Sequence, residues 1–143
     1  FNINKFMDNL GIGKATEDLG RDKMMKLLGK PTKISAIYAN GFGPNDIDHN
    51  WRKPNPDMIL YASKKYNINT NKSIMVGDRL SDMIAGCKSG INTIIHVKTG
   101  HGKDEFENIL EYCKNGIFTV DNMNSQIIFI ENLLQFPYQI FCN

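Results

Sequence analysis

Cysteine and long apolar runs are both scarce in this sequence, and each shortage excludes a class of protein. The 143 residues contain three cysteines, Cys87, Cys113 and Cys142, and no Cys-x-x-Cys pair. The sequence therefore predicts neither a disulfide framework nor a zinc site, and a reducing, cytoplasmic compartment is the expectation. Every apolar run is far shorter than the roughly 20 residues that a transmembrane helix requires. The first residues also carry no apolar run of the signal-peptide kind, so no membrane association is predicted.

An excess of charge of one sign is missing as well. Seventeen basic and 15 acidic residues leave a formal net charge of +2, which gives no electrostatic reason to expect nucleic acid as a partner. The length suits one domain with its own hydrophobic core. We therefore predict a single domain over residues 1–143, with an irregular tail at 137–143.

What the sequence does contain is an alternation of helix and strand patterns from end to end. Apolar periodicity, helix-capping residues and glycine stops mark these segments. The predicted helices are 16–28, 55–66, 80–89, a segment from Asp104 to Gly116, and 125–135; the predicted strands are Ile34–Ala39, 73–76, 93–97 and 117–120. Such alternation predicts an α/β fold, with a parallel sheet covered by helices on both faces.

A Gly-Asp pair ends the strand predicted at 73–76, and a second aspartate follows four residues later. Gly77 would let the chain turn, Asp78 would lie at the carboxyl edge of the sheet, and Asp82 would follow on the same helix face. Two converging carboxylates repel each other unless a cation lies between them, and hard oxygen ligands suit Mg²⁺. Taken alone, the pattern is slightly better explained by a turn residue and an acid that favours a helix N-terminus.

A second motif, Arg52-Lys53-Pro54-Asn55-Pro56, precedes the first by about 20 residues. The two prolines stiffen the loop, so the Lys53 ammonium would be held just before a helix, where it can neutralise a phosphoryl group. Alone, this motif is better explained as a solvated basic pair before a helix that begins with proline. The two motifs in this order are far more specific than either one.

With both motifs in place, the chain resembles the haloacid dehalogenase-type (HAD) phosphatases. It looks most similar to the branch that holds D,D-heptose 1,7-bisphosphate phosphatase and histidinol-phosphate phosphatase. The similar segments are 11–14, 34–38, 52–56, 73–90 and Thr99-Gly100. The resemblance implies a Rossmann-like HAD core and Mg²⁺-dependent hydrolysis of a small phosphorylated metabolite.

The same resemblance implies a role for five residues. Lys53 would stabilise the phosphoryl group. Arg52 would help to recognise the substrate, and Arg79 would lie near its phosphate. Asp78 would bind Mg²⁺. Asp82 would lie next to the metal site and stabilise either the metal or Lys53.

The departures from the HAD pattern matter as much as the matches. The family nucleophile and its acid/base partner lie in an Asp-x-Asp-Gly-Thr segment, which this sequence does not contain. Asp46-Ile47-Asp48 has the spacing but no strand before it, and is predicted to be a loop. The family's phosphate-binding hydroxyl position becomes Met7, whose thioether cannot donate a hydrogen bond. The loop that carries Cys and His zinc ligands in some relatives has only His49 here, so no zinc is expected.

Two other histidines have simpler interpretations. His96 falls on a predicted strand and is expected to be packed rather than catalytic. His101, between two glycines, is a candidate for contact with substrate.

The sequence therefore predicts an incomplete HAD core without its central first strand, the C-terminal two-thirds of a Mg²⁺-dependent phosphatase for a sugar phosphate or histidinol phosphate. It would be inactive alone, because the nucleophilic aspartate is absent. The alternative is a catalytically dead HAD-like domain that binds phosphate or a protein partner. Strands left unpaired by the missing one would favour self-association.

Overall fold

The computed structural model describes residues 35, 36, 38 and 51–141. Backbone contacts divide the chain into two units, Phe1–His49 and Asn50–Asn143, and all elements below belong to the second. Its helices are α1 (Asp57–Tyr66), α2 (Leu80–Lys88), α3 (Gly102–Leu110) and α4 (Tyr138–Phe141), with 3₁₀ turns at Thr70–Lys72 and Leu133–Gln135. The strands are β1 (Ile74–Gly77), β2 (Thr93–Val97), β3 (Cys113–Lys114), β4 (Ile117–Val120) and β5 (Met123–Ile130).

Two predicted elements cannot be compared with the structure. The helix predicted at 16–28 lies outside the described residues, and so does most of the strand predicted at Ile34–Ala39. The segment from Pro137, predicted as an irregular tail, includes the single helical turn α4. Among the residues that the structure describes, no helix has the length and apolar character needed to cross a bilayer.

The described strands form one sheet in the order β1-β2-β5-β4-β3. β2 pairs in parallel with β1 on one side and with β5 on the other. β4 pairs antiparallel with both β5 and β3. The prediction of an α/β fold with a parallel sheet is confirmed for β1, β2 and β5, and β4 and β3 extend the sheet antiparallel at one edge.

Apolar side chains from both faces of this sheet are buried. All five residues of β2 are buried, as expected of a strand that is covered on both sides. Ile94 packs into one cluster with Met83 of α2 and Ile109 of α3, whereas Ile95 belongs to a second cluster with Ile130. Because successive strand residues point to opposite faces, these neighbours place a core on each side of β2.

The helix predicted at 125–135 is wrong, because most of that segment is strand β5. β5 lies between two partners: the Gln126 amide donates to the Asn92 carbonyl at 2.8 Å, and the Ile127 amide donates to the Gly116 carbonyl at 2.9 Å. Its apolar residues are mostly isoleucine and phenylalanine, which favour strands. Pairing with distant segments therefore decided the structure here, and the periodicity did not.

The helix predicted to run from Asp104 to Gly116 is also wrong at its C-terminal end. It stops at Leu110, and Cys113 lies in β3. Two hairpin turns follow, Asn115-Gly116 and Asp121-Asn122, and all four residues have positive φ angles, between 48° and 76°. Two-residue turns of this kind match the twist of antiparallel strands, and Asn-Gly is their strongest sequence signal. That signal could have predicted the β3–β4 hairpin.

Candidate functional site

Asp78 follows the last residue of β1 and lies at the carboxyl edge of the parallel strands, next to His96 of β2, the register partner of Gly77. Its Oδ2 atom accepts a hydrogen bond from the His101 backbone amide at 2.8 Å. Among the described residues, nothing donates a hydrogen bond to its Oδ1 atom. One carboxylate oxygen at this edge is therefore available for a ligand.

Asp82 lies in the first turn of α2, and it is 5% exposed. Its Oδ2 atom accepts from the Arg79 backbone amide at 3.1 Å, which satisfies one of the amides left open at the start of the helix. Its Oδ1 atom lies 2.5 Å from the Lys53 ammonium nitrogen. Both carboxylate oxygens of Asp82 are thus engaged by protein groups.

Lys53 is brought to this point by the turn that precedes α1. The Asn55 amide donates to the Arg52 carbonyl at 3.0 Å, and the Asn55 side chain accepts from the Asp57 amide at 2.9 Å. Asn55 therefore satisfies the first open amide of α1 from the position just before Pro56, which is the N-cap residue. The Lys53 side chain remains about one-third exposed (32%), so an incoming anion can reach it. Arg52 lies in the same turn, half-buried.

Gly77 is required here because of Asp82, rather than because of the turn that the sequence suggested. A Cβ atom at Gly77 would overlap the Asp82 Cβ atom and lie 2.6 Å from its Oδ2. Any larger residue would push the Asp82 carboxylate away from Lys53. The spacing of the glycine and the second aspartate therefore allows the close approach of β1 and α2.

Arg79 and His101 form a second contact at the same edge. The Arg79 Nη2 atom lies 2.5 Å from His101 Nε2. His101 in turn precedes α3 and donates its backbone amide to Asp78. A continuous series of polar contacts therefore connects Lys53, Asp82, Arg79, His101 and Asp78.

His96 packs between aromatic rings below this edge. It is fully buried, with ring centroids 6.0 Å from Phe106 and 5.7 Å from Phe129. Neither ring nitrogen has a hydrogen-bond partner among the described residues. Burial is the main cause that lowers the pKa of His96, against the opposing influence of Asp78. The imidazole is therefore neutral at neutral pH, and its position is that of a packed residue.

The described residues offer limited means of holding a metal. No group of three or more His, Cys, Asp and Glu side chains suited to a metal ion occurs among them. Asp78 nevertheless fits Mg²⁺, because this ion often takes one or two protein carboxylates and completes its shell with water and substrate phosphate. Asp82 could contribute only by giving up a present partner.

Known proteins are similar to this chain over the segment that carries the candidate site. A family model described as HAD-hydrolase-like matches residues 50–122, which include all five candidate residues. A D-glycero-alpha-D-manno-heptose-1,7-bisphosphate 7-phosphatase of Photorhabdus laumondii is 42% identical over 88 residues, 60% of this chain and 47% of that protein. A D-glycero-beta-D-manno-heptose-1,7-bisphosphate 7-phosphatase of Pasteurella multocida is 40% identical over 79 residues, 52% and 43% of the two chains.

A solved structure shares the fold. It is D,D-heptose 1,7-bisphosphate phosphatase from B. bronchiseptica, complexed with magnesium and phosphate. The TM-score is 0.66 at 23% identity, over 87% of this chain and 63% of the other. The chain spans about half the length of the curated relatives above.

Proposed function

Because the chain belongs to the HAD-like hydrolase family, we propose that its residues 52–101 carry the phosphate- and Mg²⁺-binding half of a phosphomonoester hydrolase. The observation that carries the proposal is the ion pair between Lys53 and the nearly buried Asp82, 2.5 Å apart, at the edge of the sheet where β1 ends and Asp78 follows. The proposed substrate is a small sugar phosphate. The names of the relatives, which are heptose bisphosphate phosphatases, favour a sugar over histidinol.

Each charged group has a distinct task in this proposal. The Lys53 ammonium donates to a phosphate oxygen and offsets its charge, while Asp82 keeps the long lysine side chain in place. The Arg79 guanidinium has several N–H donors and can hold two phosphate oxygens at once. Arg52 contributes positive charge from the neighbouring turn. Mg²⁺, when bound at Asp78, would supply further positive charge to the phosphate.

The resemblance implies a nucleophile in an Asp-x-Asp-Gly-Thr segment, and the 143 residues contain no such segment. The Asp46-Ile47-Asp48 segment lies outside the described residues. We therefore propose that this chain binds phosphate without hydrolysing phosphomonoesters. A catalytically dead domain that binds phosphate as its function is the second candidate, because the charged groups at Lys53 and Asp78 would bind phosphate in the same way.

No turnover is expected when the purified chain is assayed with Mg²⁺ and a generic aryl phosphate. Removing the members of a catalytic unit costs about 10⁶-fold in rate, which takes turnover below the level of detection. The measurement is release of the coloured phenolate over hours, with Asp78→Ala as the control. Turnover that disappears in Asp78→Ala would mean that another residue serves as nucleophile, and this part of the proposal would be wrong.

Binding of Mg²⁺ and inorganic phosphate tests the site itself. A site with one available carboxylate should bind Mg²⁺ no more tightly than roughly millimolar, because the ion keeps most of its waters. In calorimetric or NMR titrations, we expect Mg²⁺ and phosphate to strengthen each other's binding in the wild-type chain. Asp78→Asn should remove this mutual effect, and Lys53→Ala should weaken phosphate binding.

Lys72→Ala is the matched control, because Lys72 is an exposed lysine of the 3₁₀ turn before β1. It removes the same charge away from the site and should leave both affinities unchanged. Micromolar Mg²⁺ binding would contradict the proposed ligand set. Equal losses in Lys72→Ala and Lys53→Ala would show that general charge attracts phosphate and that no site exists.

A further inference from the structure

His101 occupies an unusual position, because its backbone and its ring contact two different candidate residues. Its amide donates to Asp78 Oδ2 at 2.8 Å, and its Nε2 atom lies 2.5 Å from Arg79 Nη2. Arginine carries only donors, so the ring nitrogen is the acceptor and the ring proton is assigned to Nδ1. His101 therefore joins the carboxylate proposed for Mg²⁺ to the guanidinium proposed for phosphate.

The backbone around His101 packs closely against Asp78. Gly100 has a φ angle of +64°, and a Cβ atom there would overlap Asp78 Oδ2. The segment thus approaches the carboxylate as closely as glycine permits, and α3 begins directly after His101. The imidazole is therefore attached to backbone that contacts Asp78 directly and leads into α3.

Arg79, by contrast, has an exposed side chain with many rotamers. Its backbone is held, because the Arg79 amide donates to Asp82. Without a contact that holds the guanidinium in place, phosphate binding itself would have to order the Arg79 side chain. The contact with His101 uses one of five N–H donors, so the remaining donors stay available for phosphate oxygens.

We infer that His101 is a positioning residue, which holds the Arg79 guanidinium beside Asp78 and so lowers the cost of ordering Arg79 when phosphate binds. The inference rests on the proposed function. It predicts that His101 acts on phosphate affinity through Arg79, without contributing a charge of its own.

The test compares four variants of the full chain, His101→Ala, His101→Gln, Arg79→Ala and the double variant His101→Ala/Arg79→Ala. Inorganic phosphate is titrated in the presence of Mg²⁺. His101→Ala keeps the backbone amide on Asp78 and should weaken phosphate binding about two- to tenfold, the range expected for ordering one long side chain. The double variant should bind no more weakly than Arg79→Ala. His101→Gln, whose amide oxygen can accept from arginine, should recover most of the affinity.

A second measurement needs no ligand. Nitrogen-15 relaxation of the Arg79 Nε–H group should show a more ordered side chain in the wild-type protein than in His101→Ala. Asn108→Ala, an exposed neutral substitution on α3, is the control and should change neither the relaxation nor the affinity. Thermal unfolding of each variant identifies any that has lost its fold.

The inference about His101 and the proposed phosphate-binding function are contradicted by different results. Equal Arg79 order in the wild-type protein and His101→Ala would overturn the inference, as would additive losses in the double variant. Absence of phosphate binding by the wild-type chain would overturn the proposed function, and the relaxation data would still decide whether His101 orders Arg79.

Discussion

Replacing Asp82 by alanine is expected to lower the free energy of unfolding by about 2–3 kcal/mol. The carboxylate is 5% exposed, accepts from the Arg79 amide and pairs with Lys53. Loss of a helix-capping acceptor costs about 0.5–2 kcal/mol. Breaking a fully buried ion pair costs about 3–5 kcal/mol. Lys53 is partly exposed and can be hydrated again once Asp82 is gone, so breaking this ion pair should cost less than that. Urea denaturation of both proteins measures the difference.

Two further variants separate the two interactions of Asp82. Asp82→Asn keeps an oxygen for the Arg79 amide and loses the charge, so it should recover part of the lost stability. Asp104→Ala removes an exposed acid from the first turn of α3 and should change stability by no more than about 0.5 kcal/mol. An Asp82→Ala chain as stable as the wild type would show that the ion pair and the cap make no net contribution to the free energy of unfolding.

Replacing Phe118 by alanine should destabilise the chain still more, by about 3–5 kcal/mol. Its side chain is fully buried, packs in the same cluster as Met83 and Ile94, and stacks on Tyr112 at 5.5 Å. The cavity left behind would remove a large part of the roughly 5–15 kcal/mol that stabilises a typical domain. Thermal and chemical unfolding measure the loss.

Phosphate binding by the folded Phe118→Ala protein should nevertheless be unchanged. Phe118 pairs with Ser125 of β5, one residue before the partner of Thr93, and so lies at the end of the sheet opposite Asp78. Ile117→Ala is the matched control, because Ile117 is its neighbour on β4 and is 39% exposed. A similar loss in both variants would mean that burial of Phe118 is not the cause.

Local signals predicted the part of the fold that holds the candidate site. The helix that begins near Asn55, the helix stop at Gly90 and the strand at 93–97 each depend on a few neighbouring residues, and the structure has all three. The unit from β1 through α2 to β2 therefore follows from short-range chemistry. The same holds for Asp78, which any parallel strand ending at Gly77 would carry to the carboxyl edge.

Apolar periodicity does not predict the antiparallel edge. Segment 125–135 has enough apolar residues for a helix, and its strand structure depends on β2 and β4 on either side. The end of α3 was misplaced because Cys113 continues the apolar spacing of the helix although it belongs to β3. For β5, pairing with β2, which is distant in the sequence, outweighed local periodicity. The end of α3 is decided instead by the short-range Asn115-Gly116 turn, which apolar periodicity does not register.

For the site, the sequence by itself determined which charged residues are present, their order along the chain and the family they indicate. It could not decide which charges meet. The tertiary structure placed Asp82 against Lys53 and brought His101 between Asp78 and Arg79. The reason is physical: a motif specifies spacing along one segment, whereas an ion pair between segments depends on how the helices and strands that carry them pack.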